Sequence, residues 1–129
     1  MIHHLGIVVS DFMRSAALYD ACLAPLGIRR AVTDLDWAIY AAAAGHPFLW
    51  VGSEIPSYWE SGHEASRSPI HLALVAPNRE AVNAFYAAAI ELGAEDNGPP
   101  GPRVSDANFY SAFVIDFDGN NIEATVQEG

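Results

Sequence analysis

The sequence predicts an α+β protein of two paired βαβββ modules. Three observations carry that reading: an internal repeat, a histidine opening each copy, and hairpin chemistry near the end. "HHLGIVVSDFMRSAALYDACLAPLG", from His3, resembles "IHLALVAPNREAVNAFYAAAIELG", from Ile70. Tyr19 and Tyr86 stand at the same offset as His4 and His71, and Gly27 and Gly93 are one residue closer. Further on, Gly45 matches Gly119. Landmarks kept in order identify a repeated unit, which must be found before a fold is argued. The chain of 129 residues reads as one domain, with module one at 1–53, a linker at 54–68 and module two at 69–129.

Each element follows from local chemistry. His4–Val9 and His71–Ala76 alternate around aliphatic residues, the pattern of half-buried strands. Ser10/Asp11 and Asn78 offer side-chain oxygens to the orphan N–H groups of the helices that follow. Phe12, Ala16, Tyr19 and Leu23 form one apolar stripe, and Val82, Phe85, Tyr86 and Ala89 form another. Pro25 with Gly27 ends the first helix and Gly93 the second. Three strands follow in each half, near 29–34, 37–43 and 47–52, then near 94–96, 110–117 and 121–127. Asp118-Gly119-Asn120 makes the last two a hairpin, because Gly and Asn tolerate positive φ. Glu54–Ser68 is polar with Tyr58 and Trp59. Gly98–Asn108 is rich in Pro and Gly and reads as a loop. Both are expected beside the mouth of a concave site or at a subunit contact.

Composition narrows the function. Hydrophobic residues make up 51% and charged ones 17%, enough for a packed core. A formal net charge of −10 argues against nucleic acid and against an anionic membrane surface. Cys22 is the only cysteine, so no disulfide within the chain and no cysteine-rich metal site is expected. No basic leader and no apolar run near the ~20 residues of a membrane span is visible, so the expected location is cytoplasmic.

Strand alternation places His4, Gly6 and Val8 on one face, and His71, Ala73 and Val75 on the equivalent face of the second copy. On the last strand Glu123 shares its face with Asn121 and Thr125. The opposite faces carry the Leu and Ile residues that suit helix packing. His4, His71 and Glu123 therefore fall on the faces poorer in large aliphatics. Two imidazoles and a carboxylate form a set suited to a divalent ion. Periodicity alone equally fits three ordinary hydrogen-bonded or exposed side chains.

The motifs "HHLGIVVSD", "ALYDACLAPLG", "HLALVA", "AFYAAAIELGA" and "AFVIDFDGNNIEA" together resemble the vicinal oxygen chelate superfamily, which includes glyoxalase I, bleomycin resistance proteins and extradiol dioxygenases. The resemblance spans nearly the whole chain, with Phe117 where the closing hairpin usually has Pro. It implies curved mixed sheets forming a cup around a metal held by His4, His71 and Glu123, with Glu123 also the catalytic group. The metal would be Zn, Fe, Mn or Ni, and the assembly a homodimer. Matching Gly45 to Gly119 sets Leu49 opposite Glu123; a slip of one sets Phe48 or Trp50 there. None binds a metal, so the glyoxalase I ligand set is incomplete. Arg103, Tyr110 and Trp50 are the expected contacts to a small-molecule substrate. Two functions remain open. One is a metalloenzyme of lyase, isomerase or dioxygenase type. The other is a metal-free drug-binding protein with Trp37, Tyr40, Trp50, Tyr58 and Trp59 as stacking surfaces.

Overall fold

A computed structural model describes residues 1–129. Module one runs β1 (His4–Val8), α1 (Phe12–Leu23), a short 3-10 helix (Ala24–Leu26), β2 (Arg29–Thr33), β3 (Trp37–Ala41) and β4 (Phe48–Gly52). Module two runs β5 (His71–Val75), α2 (Arg79–Glu91), β6 (Glu95–Pro102), β7 (Phe109–Ile115) and β8 (Asn121–Gln127). The two sheets share one topology, β1-β4-β3-β2 and β5-β8-β7-β6. In each, the first strand pairs in parallel with the last, and the remaining pairs are antiparallel.

The helices start where expected. Asp11 accepts from the Arg14 amide and Asn78 from the Ala81 amide. Pro25 does not stop the chain abruptly but sits inside the 3-10 turn, where its missing N–H costs nothing. Gly27 then takes φ 78°, which a side chain would resist. One correction concerns the second loop. Residues 98–102 form the end of strand β6 rather than a loop. β6 is an edge strand with register shifts between Asp96 and Gly98 and between Gly98 and Gly101. Edges and bulges are where prolines are tolerated in a sheet. Only 103–108 remains irregular. Glu54–Ser68 is irregular throughout and lies beside β1 and the Asp118 turn, around a small cavity of about 140 Å³.

One apolar core joins the modules. It runs from Ile7, Leu49 and Val51 through Leu18, Leu23, Val82 and Phe85 to Val114 and Ile122. Polar groups fix the junction as well. The Tyr19 hydroxyl on α1 donates to the Asp116 carboxylate ahead of the β7–β8 turn. Asp116 also accepts from the Asp118 amide, the Asn120 amide and the Asn120 side chain. The Ser10 amide and the Ser66 hydroxyl donate to Asp118. Arg14 lies 3.7 Å over the Phe117 ring. Burial, then the facing Asp116 carboxylate, raise the Tyr19 pKa well above its ordinary value. The hydroxyl thus stays a donor. Nearby, burial pushes the Cys22 thiol up to about 12.

Two expectations follow. Asp116→Ala strands several buried donors and should cost roughly 2–4 kcal/mol, against about 1 kcal/mol for Tyr19→Phe. Urea unfolding measures both, and an unchanged midpoint for Asp116→Ala would refute the role given to the turn. Cys22 should resist a thiol reagent at neutral pH in the folded protein and react once urea unfolds it.

Candidate functional site

The faces turned away from the helices carry the polar and aromatic residues. In module two, parallel pairing sets His71 beside Asn121 and Ala73 beside Glu123. Ile122 and Ala124 point into the core, so period-two alternation sends Glu123 to the opposite face. Yet Glu123 is only 1% exposed. The His71 Nε2 lies 3.0 Å from its Oε1, and a carboxylate oxygen can only accept, so the imidazole donates. Glu123 Oε2 is buried and has no hydrogen-bond partner. The Arg103 guanidinium comes to 3.8 Å from that oxygen, too far for a hydrogen bond. Phe113, the antiparallel partner of Glu123, lies with its ring 6.2 Å from the His71 ring.

A buried carboxylate with one bare oxygen is costly unless a cation meets it. An imidazole and a carboxylate are hard-to-borderline donors of the kind divalent ions accept. The pair fits two positions of such a shell. His4 does not join it within the chain. No three His, Cys, Asp or Glu side chains come together in a set that could hold a metal. The expected convergence of His4, His71 and Glu123 is therefore corrected to His71 with Glu123. His4 is exposed and stacks on Phe48 at 4.7 Å, with its Nδ1 2.9 Å from that of His3. The reason is tertiary: alternation orients each strand, but it does not set one sheet against the other.

Module one carries different chemistry on the equivalent face. Its register pairs His4 with Phe48 and Gly6 with Trp50, as His71 pairs with Asn121 and Ala73 with Glu123. Trp50, not Leu49, therefore stands in the place of Glu123. Leu49 is buried on the helix side. The indole of Trp50 lies close against the sheet because its neighbours are glycines. A Cβ on Gly52 would come within 2.7 Å of the Trp50 ring and 2.5 Å of Trp37 Cβ. Trp37 and Trp50 stack with ring centroids 6.4 Å apart. The two half-faces are thus a carboxylate–imidazole pair and an aromatic shelf at whose Phe48 end His3, His4 and His46 gather.

Of the expected substrate contacts, Arg103 lies beside Glu123 and Trp50 lies on the face of His4. Tyr110 does not belong there. Its hydroxyl donates to Asn83 on α2 at 2.7 Å, and Arg79 covers its ring at 4.6 Å. Tyr110 sits one residue out of phase with Phe109, Ser111 and Phe113, so the pleat turns it to the helix. Phe113 also belongs to the site, and the only sequence signal for it is its register with Glu123 in the hairpin. Outside the pair, the larger cavity, about 380 Å³, is apolar and lies between the β1–β4 edge and β5, lined by Leu5, Leu49, Leu72 and Leu74.

Comparison with known proteins bears on this arrangement. A model of the Glyoxalase/Bleomycin resistance protein/Dioxygenase superfamily matches residues 1–124. A glyoxalase/bleomycin resistance protein of Albidiferax ferrireducens T118 is 30% identical, with 97% of each chain covered and a TM-score of 0.76. A glyoxalase-related enzyme from Fulvimarina pelagi shares the fold at 14% identity, with 97% of this chain and 86% of that chain covered and a TM-score of 0.69. A family enzyme from Burkholderia phytofirmans PsJN does so at 15%, with 95% of each chain covered and a TM-score of 0.64. Among curated proteins none matches the chain. The repeated βαβββ modules, their shared topology and the match across residues 1–124 place this chain in the glyoxalase/bleomycin resistance protein/dioxygenase superfamily.

Proposed function

We propose that the chain is a metal-dependent enzyme acting on a small molecule that offers two oxygens to the metal. Lyase, isomerase and dioxygenase-type chemistry all fall within that class. The observation that carries this reading is Glu123, buried to 1% with one carboxylate oxygen on His71 and the other bare. His71 and Glu123 would hold the ion, and the ion would act as a Lewis acid on the chelated oxygens. Burial keeps water from competing for Glu123, and Arg103 offsets its charge at the rim.

A catalytic site of this type draws on three protein ligands, and one chain brings together two. The third is proposed to be His4 of the partner subunit in a homodimer. Strands β1 and β5 each have one neighbour, so their outer edges are unpaired within the chain. Unpaired edges are templates for another strand. Leu5 and Val75 on these strands are exposed, Val75 at 80%. Closing β1 of one copy against β5 of the other would cover these residues and set the two half-faces together.

A second reading is favoured by Trp50 standing where a ligand would be. The aromatic shelf of Trp37, Trp50 and Phe48, on a chain with a net charge of −10, suits a flat cationic molecule held without metal.

Metal content after reconstitution tests the first reading. The parent should retain a divalent ion through gel filtration as a dimer. His71→Ala and Glu123→Gln should each lose at least about a hundredfold in affinity, since even outer-shell changes cost 10–100-fold. Retention of the parent content by either variant would reject the site. Quenching of tryptophan fluorescence by an aromatic cation tests the second. That reading expects quenching to survive a chelator, and loss of all quenching on metal removal would count against it.

A further inference from the structure

We infer that the small cavity between the linker 54–68, β1 and the β7–β8 turn binds a primary ammonium group, anchored by Asp118. Neither His71 nor Glu123 lines this cavity. The inference rests on neither functional reading above.

The cavity holds about 140 Å³ and is walled by Gly6 and Ile7 of β1, Trp59 and Ser66 of the linker, and Asp118 and Asn120 of the turn. Asp118 is 3% exposed. Its Oδ1 is satisfied twice, by the Ser10 amide at 3.0 Å and by the Ser66 hydroxyl. Its Oδ2 is buried and has no hydrogen-bond partner. Only Glu123 has another such oxygen, and Arg103 stands beside that one. Asp118 has no basic neighbour of its own. The chain contains six arginines and no lysine. Arg30, Arg67, Arg79 and Arg103 lie against Asp20, Glu64, Glu128 and Glu123. Arg14 covers Phe117, and Arg29 is exposed on the edge strand β2. No arginine or histidine forms an ion pair with Asp118.

A buried carboxylate oxygen without a donor is costly. An ammonium supplies both the missing donor and the missing charge, and such charge-assisted bonds are about twice as strong as neutral ones. Ser66 and Ser68 line the cavity and offer hydroxyl oxygens to the other N–H groups. Trp59 and Tyr58 supply aromatic surface, which attracts a cation. Trp59 is braced by His63, 6.0 Å away between ring centroids, whose Nδ1 accepts from the Glu60 amide. Glu64 adds a second negative charge, but Arg67 at 3.1 Å offsets it, so Asp118 is the anchor. Volume sets the size of the occupant. A cavity of about 150 Å³ holds benzene, so the fit is to a molecule of roughly six heavy atoms. A short primary alkylamine meets both demands, and the net charge of −10 favours its approach.

The test titrates n-butylammonium into the isotope-labelled full-length protein, with a chelator present, and follows N–H signals by NMR. The Ser10 amide and the Trp59 indole should shift and saturate, while the Trp37 and Trp50 indoles stay in place. The neutral n-butanol, of the same length, should bind at least about tenfold more weakly. Asp118→Asn keeps an acceptor for Ser10 and Ser66 and removes the charge, so it should weaken n-butylammonium by at least about tenfold. Trp59→Leu, in the irregular linker, should weaken it about threefold, read at Ser10. No saturable shift at Ser10, equal affinity for the amine and the alcohol, or undiminished binding by a folded Asp118→Asn overturns the inference. Shifts confined to Trp37 and Trp50 overturn it too, since they put the cation on the aromatic shelf. The comparison of amine with alcohol needs only the parent protein, so it decides the matter even if Asp118→Asn does not fold.

Discussion

The candidate site depends on one buried carboxylate. Glu123 stands on a central strand, β8, with core residues on either side of it in sequence. The pleat sends it away from the helices, and Phe113, His71 and Arg103 close around it. Removing a carboxylate from water is expensive, and a single imidazole satisfies only one of its oxygens. The remaining oxygen has Arg103 nearby but unbonded. A buried carboxylate with one oxygen unbonded is what separates this face from an ordinary solvated sheet. Arg103, beside the Phe109 ring, supplies the positive charge at its rim.

The scaffold that holds Glu123 is itself fixed by a second carboxylate. Asp116 draws two backbone amides, the Asn120 side chain and the Tyr19 hydroxyl into one network. The first three shape the turn that leads into β8. The fourth ties that turn to α1 of the other module. Two acidic residues seven positions apart thus do different work. Asp116 is fully satisfied and structural, and Glu123 is half-satisfied and available. Duplication explains the plan, but the copies have diverged. Trp50 fills with an indole the position that Glu123 fills with a charge, and Gly52 makes room for that ring.

Much of the fold was legible because it rests on local rules. Apolar alternation marked β1 and β5, Asp11 and Asn78 marked the helix starts, and Asp118-Gly119-Asn120 marked the last hairpin. Glu123 and His71 were found by facing alone, and they do meet. What alternation cannot carry is the relation between elements. The counterpart of Glu123 depends on hairpin register and loop length, so Leu49, Phe48 and Trp50 could not be separated by matching glycines. The prolines at 99, 100 and 102 conceal the second half of β6, because an edge strand needs fewer donors than a central one. His4 was placed on the correct face of its own sheet, but no periodic signal says which other sheet that face meets. Tyr110 was assigned from its residue type rather than its phase, and phase decided its direction.

In the proposed dimer, two copies of the chain would complete one site, with His4 from one and His71 and Glu123 from the other. A mixed dimer tests it most directly. One subunit carries His4→Ala and the other Glu123→Ala, each with a different affinity tag so that only the hybrid is isolated. A site shared between subunits leaves one set intact and one doubly broken. Bound metal in the hybrid should then reach about half the parent content, while either variant alone as a homodimer should hold almost none. If each site lay within one chain, both sites of the hybrid would be broken. A hybrid as empty as the two homodimers, beside a fully loaded parent, would contradict the claim.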